Sequence, residues 1–184
     1  MITFLLLVLN GMMFYWLETH GGSTNELTLL VYGAKWAPFI LDHGEWWRLV
    51  SAAFLHIGWT HILMNMVSLW VLGRPLERGI GSIRFGFIYL GGAIGGNALS
   101  LLLAPDVISA GASTAIFGLM GAWLIVGFRT HNWRQVAQMA VMVGINLVTN
   151  LTQPEVDLWG HAGGFLGGLL VAVVLVPRFR NRLA

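Results

Sequence analysis

The chain has 184 residues, of which 57% are hydrophobic and 10% charged, with a mean hydropathy of +0.74. Soluble domains carry about 25% charged residues, so this composition excludes a chain built for water. The absence of cysteine removes disulfides, thiol nucleophiles and cysteine-held metals, and ten Lys and Arg against eight Asp and Glu leave a formal charge of +2.

In chain order, six apolar segments fall at about 1–17, 57–73, 82–104, 113–128, 134–150 and 158–176. Each approaches the roughly 20 residues, range about 17–25, that a helix needs to cross a bilayer. The expectation is an all-α membrane protein with six transmembrane helices, forming one domain over residues 1–184. The first segment, "MITFLLLVLNGMMFYWLETHGG", has neither a basic start nor a small-x-small cleavage site and reads as a retained helix rather than a secretion signal.

Between the first and second segments runs a long loop, 18–56, containing "AKWAPFILDHGEWWRLVSAAFLH". Its tryptophans, Trp36, Trp46 and Trp47, and its breaks at Pro38 and Gly44 predict a segment lying in the membrane interface. Orientation comes from the basic residues. Loop 74–81, Arg84, the 129–134 connection and the tail "RFRNR" hold eight of the ten, whereas the 18–56 loop holds only Lys35 and Arg48. Lys and Arg mark the cytoplasmic side, so both termini are expected there. A pI of 9.5 would suit a nucleic-acid partner, but basic clusters between apolar runs serve orientation, and no nucleic acid is expected.

Ionisable groups at membrane depth are costly and therefore mark function. None of the six segments carries Asp or Glu near its middle, which argues against a two-carboxylate intramembrane protease and against proton-coupled carriers. The second segment contributes His56, His61 and Asn65 in "HIGWTHILMNM". His61 and Asn65, four apart, share a helical face, and His56 is expected to brace the entering loop. A zinc site is the rival reading, but H-E-x-x-H is missing and no carboxylate or cysteine completes a tetrahedral set.

The fourth segment opens with "SAGASTAIFGLMGAWLIVGF", where Ser113, Phe117 and Gly121 fall on one face. The last, "DLWGHAGGFLGGLLVAVVLV", places Gly164 and Gly168 on the face headed by His161. Glycines at that spacing let helices meet backbone to backbone. If the two stripes meet, Ser113 and His161 come together near the outer surface, as nucleophile and general base. The Ser113 N–H, at a helix start, is an unpaired donor suited to an oxyanion. His61 and Asn65 are candidate side-chain donors, and Phe117 can fix the imidazole by ring packing. With no buried carboxylate as a third member, the expected unit is a dyad. Ser109, four residues earlier, is expected to be a neutral loop serine. A channel or carrier remains an alternative, but it would spread polar residues through the whole membrane depth.

These elements together resemble the rhomboid family of intramembrane serine proteases: "GASTAIFG" with Gly111 and Ser113, "HIGWTHILMN" with His56, His61 and Asn65, "GHAGGFLGG" with His161, "EWWR" with Trp47 and Arg48, and "GRPLERGIGS" with Glu77. Thr114 stands where the family commonly has a second glycine. The resemblance implies a six-helix core opening outward with a Ser113–His161 dyad. It also implies an oxyanion hole at His61, Asn65 and Ser113, supported by His56, Gly111, Gly164, Gly168, Trp47 and Arg48. It further implies cleavage of other membrane proteins' transmembrane segments near their outer ends, after a small residue. The implied setting is the lipid bilayer of a bacterial inner membrane, with no cofactor and no metal. Water access through the loop "NLTQPEVD" is expected. The alternative within the family is an inactive rhomboid-like protein that binds membrane helices; such proteins typically lack the serine or the histidine, and this chain has both.

Overall fold

The computed structural model describes residues 1–151 and 156–177. Half of the "NLTQPEVD" loop, residues 152–155, and the whole "RFRNR" tail lie outside the described residues, and with them part of the charge tally. The described residues form helices in the order α1 (Ile2–Thr19), α2 (Glu26–Val31), α3 (Ala37–Leu41), α4 (Arg48–Ser51), α5 (Gly58–Ser68), α6 (Arg74–Ile80), α7 (Ser82–Leu103), α8 (Ser113–Arg129), α9 (Trp133–Leu151) and α10 (Leu158–Leu175). Three helices, α1, α7 and α10, are each long and apolar enough to cross a membrane, and α8 is a shorter apolar helix. The chain is an integral, multi-pass membrane protein.

Two boundaries differ from the sequence reading. Residues 74–80, expected as loop, continue the second helix, so that only Gly81, at φ +87°, separates it from α7. The continuation passes Pro75, which has no N–H to give and crowds the carbonyl four residues back. A π turn over Leu69–Gly73, immediately before it, widens the helix where that crowding would fall. The second difference is in the first loop, which folds into α2, α3 and α4 with a 3-10 turn at Ala52–Phe54. The stretch Arg48–Phe54 meets Gly58–Ile80 at 96°, so it lies crosswise to the long helices. Trp46 and Trp47 are 56% and 52% exposed on it.

Arg48 organises this crosswise layer. Its guanidinium donates to the carbonyls of Leu30 and Ala34 at 2.7 and 3.0 Å, pairs with Glu45 at 2.6 Å, and lies over the rings of Phe39 and Trp47. Lys35 is fully buried and donates to the carbonyls of Ala104 and Val107, tying the layer to the loop after α7. Burial of its ammonium lowers the Lys35 pKa to about 8. At the other end of the molecule Glu77, inside α6, accepts from the Ile2 N–H at 2.6 Å, the Thr3 N–H at 2.9 Å and the Thr3 hydroxyl. It thereby caps the positive end of α1.

The centre is a three-helix wedge of α7, α8 and α10 held by glycine. Side chains added at Gly163 and Gly167 would strike the Gly95 and Gly91 carbonyls of α7. At Gly164 and Gly168 they would strike the backbone of Thr114 and Gly118 in α8. A Cβ at Gly92 would lie 3.0 Å from the Gly118 Cα, closing the triangle. In lipid, helices are held by such close packing because the hydrocarbon offers no hydrophobic drive between them. The α8 stripe that receives α10 runs Thr114, Gly118 and Gly121; it keeps Gly121 of the expected face but takes Thr114 and Gly118 in place of Ser113 and Phe117. Helix α9 is built differently: only Val143 is buried along its 19 residues.

Candidate active site

Helices α5, α8 and α10 start at the same end of the bundle, and α9 finishes there. Each brings one polar group to that end for a local reason. Ser113 is the first residue of α8, behind an Ala112 N-cap that has no side-chain acceptor, so its N–H lacks an intrahelical partner. His161 lies one turn into α10, whose start is fixed by Asp157 accepting the Gly160 N–H at 2.8 Å. His61 lies one turn into α5, after Gly58 at φ +74° has turned the chain.

The structure brings Ser113 Oγ to 2.9 Å from His161 Nε2. Phe117, one turn below the serine, stacks on the imidazole at 4.3 Å between centroids and 14° between planes. His61 is presented edge-on. Its Nδ1 accepts the Ile57 N–H at 3.2 Å, so in the neutral ring the hydrogen resides on Nε2, a donor. That donor faces Gly111: a Cβ there would lie 2.9 Å from His61 Nε2 and 3.5 Å from Ser113 Oγ, and Gly111 holds φ +143°. Glycine is required at this point both for its backbone angle and to leave the space in front of the donor empty. Asn65 gives one amide hydrogen to the His61 carbonyl at 2.9 Å and lines the same space. His56 is fully buried, and its Nε2 accepts the Ala112 N–H at 3.3 Å, bracing the loop that delivers Ser113.

Ser113, His161, Phe117, His61, Asn65 and Gly111 line a cavity of about 410 Å³ together with Met64, Ser68, Asn97, Met120, Asn146 and Asn150. Thr114 also lines it. Gly96 faces Thr114 so closely that a Cβ would come within 2.6 Å of the threonine Cβ, so the bulk following Ser113 is accommodated by glycine on α7. Trp47 and Arg48 are not at this cavity; they belong to the crosswise layer. Gly164 and Gly168 act through packing below it. Among the described residues no group of three or more His, Cys, Asp or Glu is arranged to hold a metal ion.

Sequence reasoning missed the supports behind the pair. Asp157 accepts hydrogen bonds from the hydroxyls of Ser100 on α7 and Ser109 in the loop before α8. One carboxylate thus joins the loop carrying Ser113 to the helix carrying His161. Ser109 lies in the loop as expected, but it is 6% exposed and its backbone pairs with Lys35, so it is a structural support there. The D-x-x-G step at a helix start was the available signal for Asp157. Asn150, at the end of α9, faces His161 Nδ1 at 2.5 Å, and nothing in "NLVTN" pointed to it.

Residues 43–178 match the family model described as the Rhomboid domain. The chain is 42% identical to Rhomboid protease GluP of Bacillus subtilis (strain 168) over 94% of its own length and 34% of that protein's. It is 41% identical to RHOMBOID-like protein 7 of Arabidopsis thaliana, over 83% of this chain and 50% of that protein. It is 33% identical to the Putative rhomboid protease YdcA of B. subtilis, over 76% of this chain and 72% of that one. The chain therefore spans about a third to a half of the length of two of these relatives and most of the third.

Proposed function

The chain belongs to the rhomboid family, and on that footing we propose that it is an intramembrane serine endopeptidase working through Ser113 and His161. The observation that carries this reading is the 2.9 Å approach of Ser113 Oγ to His161 Nε2 inside an accessible cavity. His161 takes the hydroxyl proton at Nε2 as Ser113 Oγ attacks the carbonyl carbon of the scissile peptide bond. The oxyanion so formed is met by the Ser113 N–H, by His61 Nε2–H and by the free amide hydrogen of Asn65. His161 then returns the proton to the leaving amine, and water resolves the acyl-enzyme by the same path in reverse roles.

The substrates are transmembrane segments of other membrane proteins, cut near their outer ends. A helical peptide bond is shielded by its own hydrogen bonds, so a substrate must unwind to place a carbonyl beside Ser113. A small residue before the scissile bond suits a site narrowed by Phe117 and the His61 ring. The setting is a bacterial inner membrane crossed six times by one domain, with the α4 layer in the outer interface, both termini cytoplasmic and the cavity opening outward. The clustering of Arg74, Arg78, Arg84, Arg129 and Arg134 at the opposite end from Ser113 supports this orientation.

The test is proteolysis of a transmembrane substrate by the purified protein in liposomes, beside labelling by a fluorophosphonate. Wild type should cleave and label; Ser113→Ala and His161→Ala should do neither. Cleavage that survives Ser113→Ala but stops with a chelator would replace the dyad by a metal mechanism. Tight substrate binding by wild type with no cleavage would make the protein a helix-binding member of the family.

A further inference from the structure

A serine–histidine pair is productive in only one of the two imidazole tautomers. To take the Ser113 proton, His161 must leave Nε2 bare and carry its hydrogen on Nδ1. That Nδ1–H then needs an acceptor, because a buried donor without a partner is costly and an unanchored ring can turn. Phe117 stacks on the ring face and so limits tilt, but a stacked ring can still rotate in its own plane. The Asp157 carboxylate is taken up by Ser100, Ser109 and the Gly160 N–H. The group standing at Nδ1 is the side-chain amide of Asn150, drawn with its Nδ2 atom at 2.5 Å.

The two faces of that amide have opposite consequences. With its nitrogen toward the ring, Nδ1 accepts, the hydrogen sits on Nε2, and the imidazole can only donate to Ser113. With its oxygen toward the ring, Nδ1–H donates to Asn150 and Nε2 is the base. A half-turn about χ2 exchanges the two amide atoms within almost the same volume. After proton transfer both ring nitrogens carry hydrogen, and only the oxygen-inward amide matches the imidazolium.

We propose that Asn150 is a positioning residue for His161, its side-chain oxygen accepting the Nδ1–H so that the ring is held as the base and the imidazolium is stabilised. The inference rests on the serine-protease reading above and deepens it: the unit is Ser113–His161–Asn150, assembled from three helices. The third member comes from α9, the least buried helix of the cavity wall. Correct assembly of that wall and correct protonation of the base thereby become one event.

The test compares Asn150→Leu, which cannot accept, with Asn150→Asp, which keeps an acceptor oxygen and cannot present a donor. Orientation of a general base is a part of the roughly 10²–10⁴-fold that such a base contributes. Asn150→Leu should therefore lower kcat by about 10- to 10²-fold with KM unchanged, and Asn150→Asp should stay within a few-fold of wild type. In protein labelled with ¹⁵N-histidine, the low-field Nδ1 proton of His161 should be present in wild type and Asn150→Asp and lost in Asn150→Leu. Melting temperatures in detergent should agree among the three. An unchanged kcat in Asn150→Leu overturns the proposal, as does an equal loss in both variants, which would make the role one of shape. Fluorophosphonate labelling of wild type separates the layers: if it labels at Ser113 while Asn150→Leu behaves normally, only the role of Asn150 falls. If wild type itself does not label, the serine-protease reading falls.

Discussion

Helices α10 and α9 stand side by side at the cavity and are held in opposite ways. Helix α10 is sunk between α7 and α8 on two glycine stripes, with backbone against backbone along Gly163, Gly164, Gly167 and Gly168. Helix α9 leans on α8 through side chains and buries only Val143. Its other faces carry exposed Val141, Ile145 and Val148. Asn146 lines both the cavity and a shallow apolar groove on the outer side of α9, where it is joined by Ala137, Val141 and Ile145. The difference divides the labour. Serine and histidine stand on the two helices joined by glycine contacts, and α9 is the loosely held side of the cavity.

The sharpest way to break this comparison is to put a side chain into the rigid seam. Gly164→Val would drive a branched carbon into the Thr114 carbonyl. A displacement of about 1 Å in a reacting pair can cost about 10²-fold, so labelling and turnover should fall by at least that much, in a protein that still inserts and remains monodisperse in detergent. Normal rates with normal stability would mean that the seam tolerates separation. Next in size is Asn65→Ala. Losing one oxyanion donor typically costs about 10²–10³-fold in rate. Here the Ser113 N–H and His61 share the task, so kcat should drop to the lower end of that range or less, leaving slow enzyme rather than dead enzyme. A variant with no detectable turnover would assign Asn65 a larger part.

Ser109→Ala probes the strut between the two walls' anchors. It removes one of three hydrogen bonds to Asp157, worth about 0.5–1.5 kcal/mol net, and should slow labelling only several-fold; no change at all would show that Ser100 and Gly160 suffice. Val143→Ala takes the one buried side chain from α9. Lipid is as apolar as the site it leaves, so the rate should stay within about two-fold, and a large loss would contradict the idea of a loosely held wall.

The smallest effect concerns pH. Lys35 has a folded pKa of about 8, below its ordinary value, so between about pH 8 and about 10.4 the unfolded chain binds more protons than the folded one. Stability relative to Lys35→Met should therefore rise as pH climbs through that window and be flat below it. The neutral amine keeps two hydrogens, enough for the Ala104 and Val107 carbonyls. A melting temperature that falls across the window relative to the variant would reverse the assignment.

How much of this was legible in the sequence differs by element. The long helices were visible because apolar length is a direct reading of what a bilayer requires. Ser113, His61 and His161 stood out because polar groups in apolar runs are expensive and so are noticed. The run of apolar residues stops at Gly73, so the polar continuation Arg74–Ile80, carried past Pro75 by a π turn, was not visible as helix. Asn150 and Ser109 were invisible for a different reason. Each sits where a polar residue is ordinary, at a helix end and in a loop, and each acquires its partner only when chain segments far apart are folded together. The glycines of α10 were read as one stripe. Their second stripe, toward α7, could be seen only once α10 was known to have neighbours on two sides.

Glu77 carries a consequence for the order in which the molecule can be made. The amino end of α1 is closed by a carboxylate 75 residues further along the chain. At synthesis rates of about 5–20 residues per second, roughly 4–15 s pass between the emergence of the first helix and that of its clasp. During that interval the N–H groups of Ile2 and Thr3 are without the carboxylate that accepts from them in the folded chain. The clasp on the first helix therefore closes only after the ribosome has delivered Glu77.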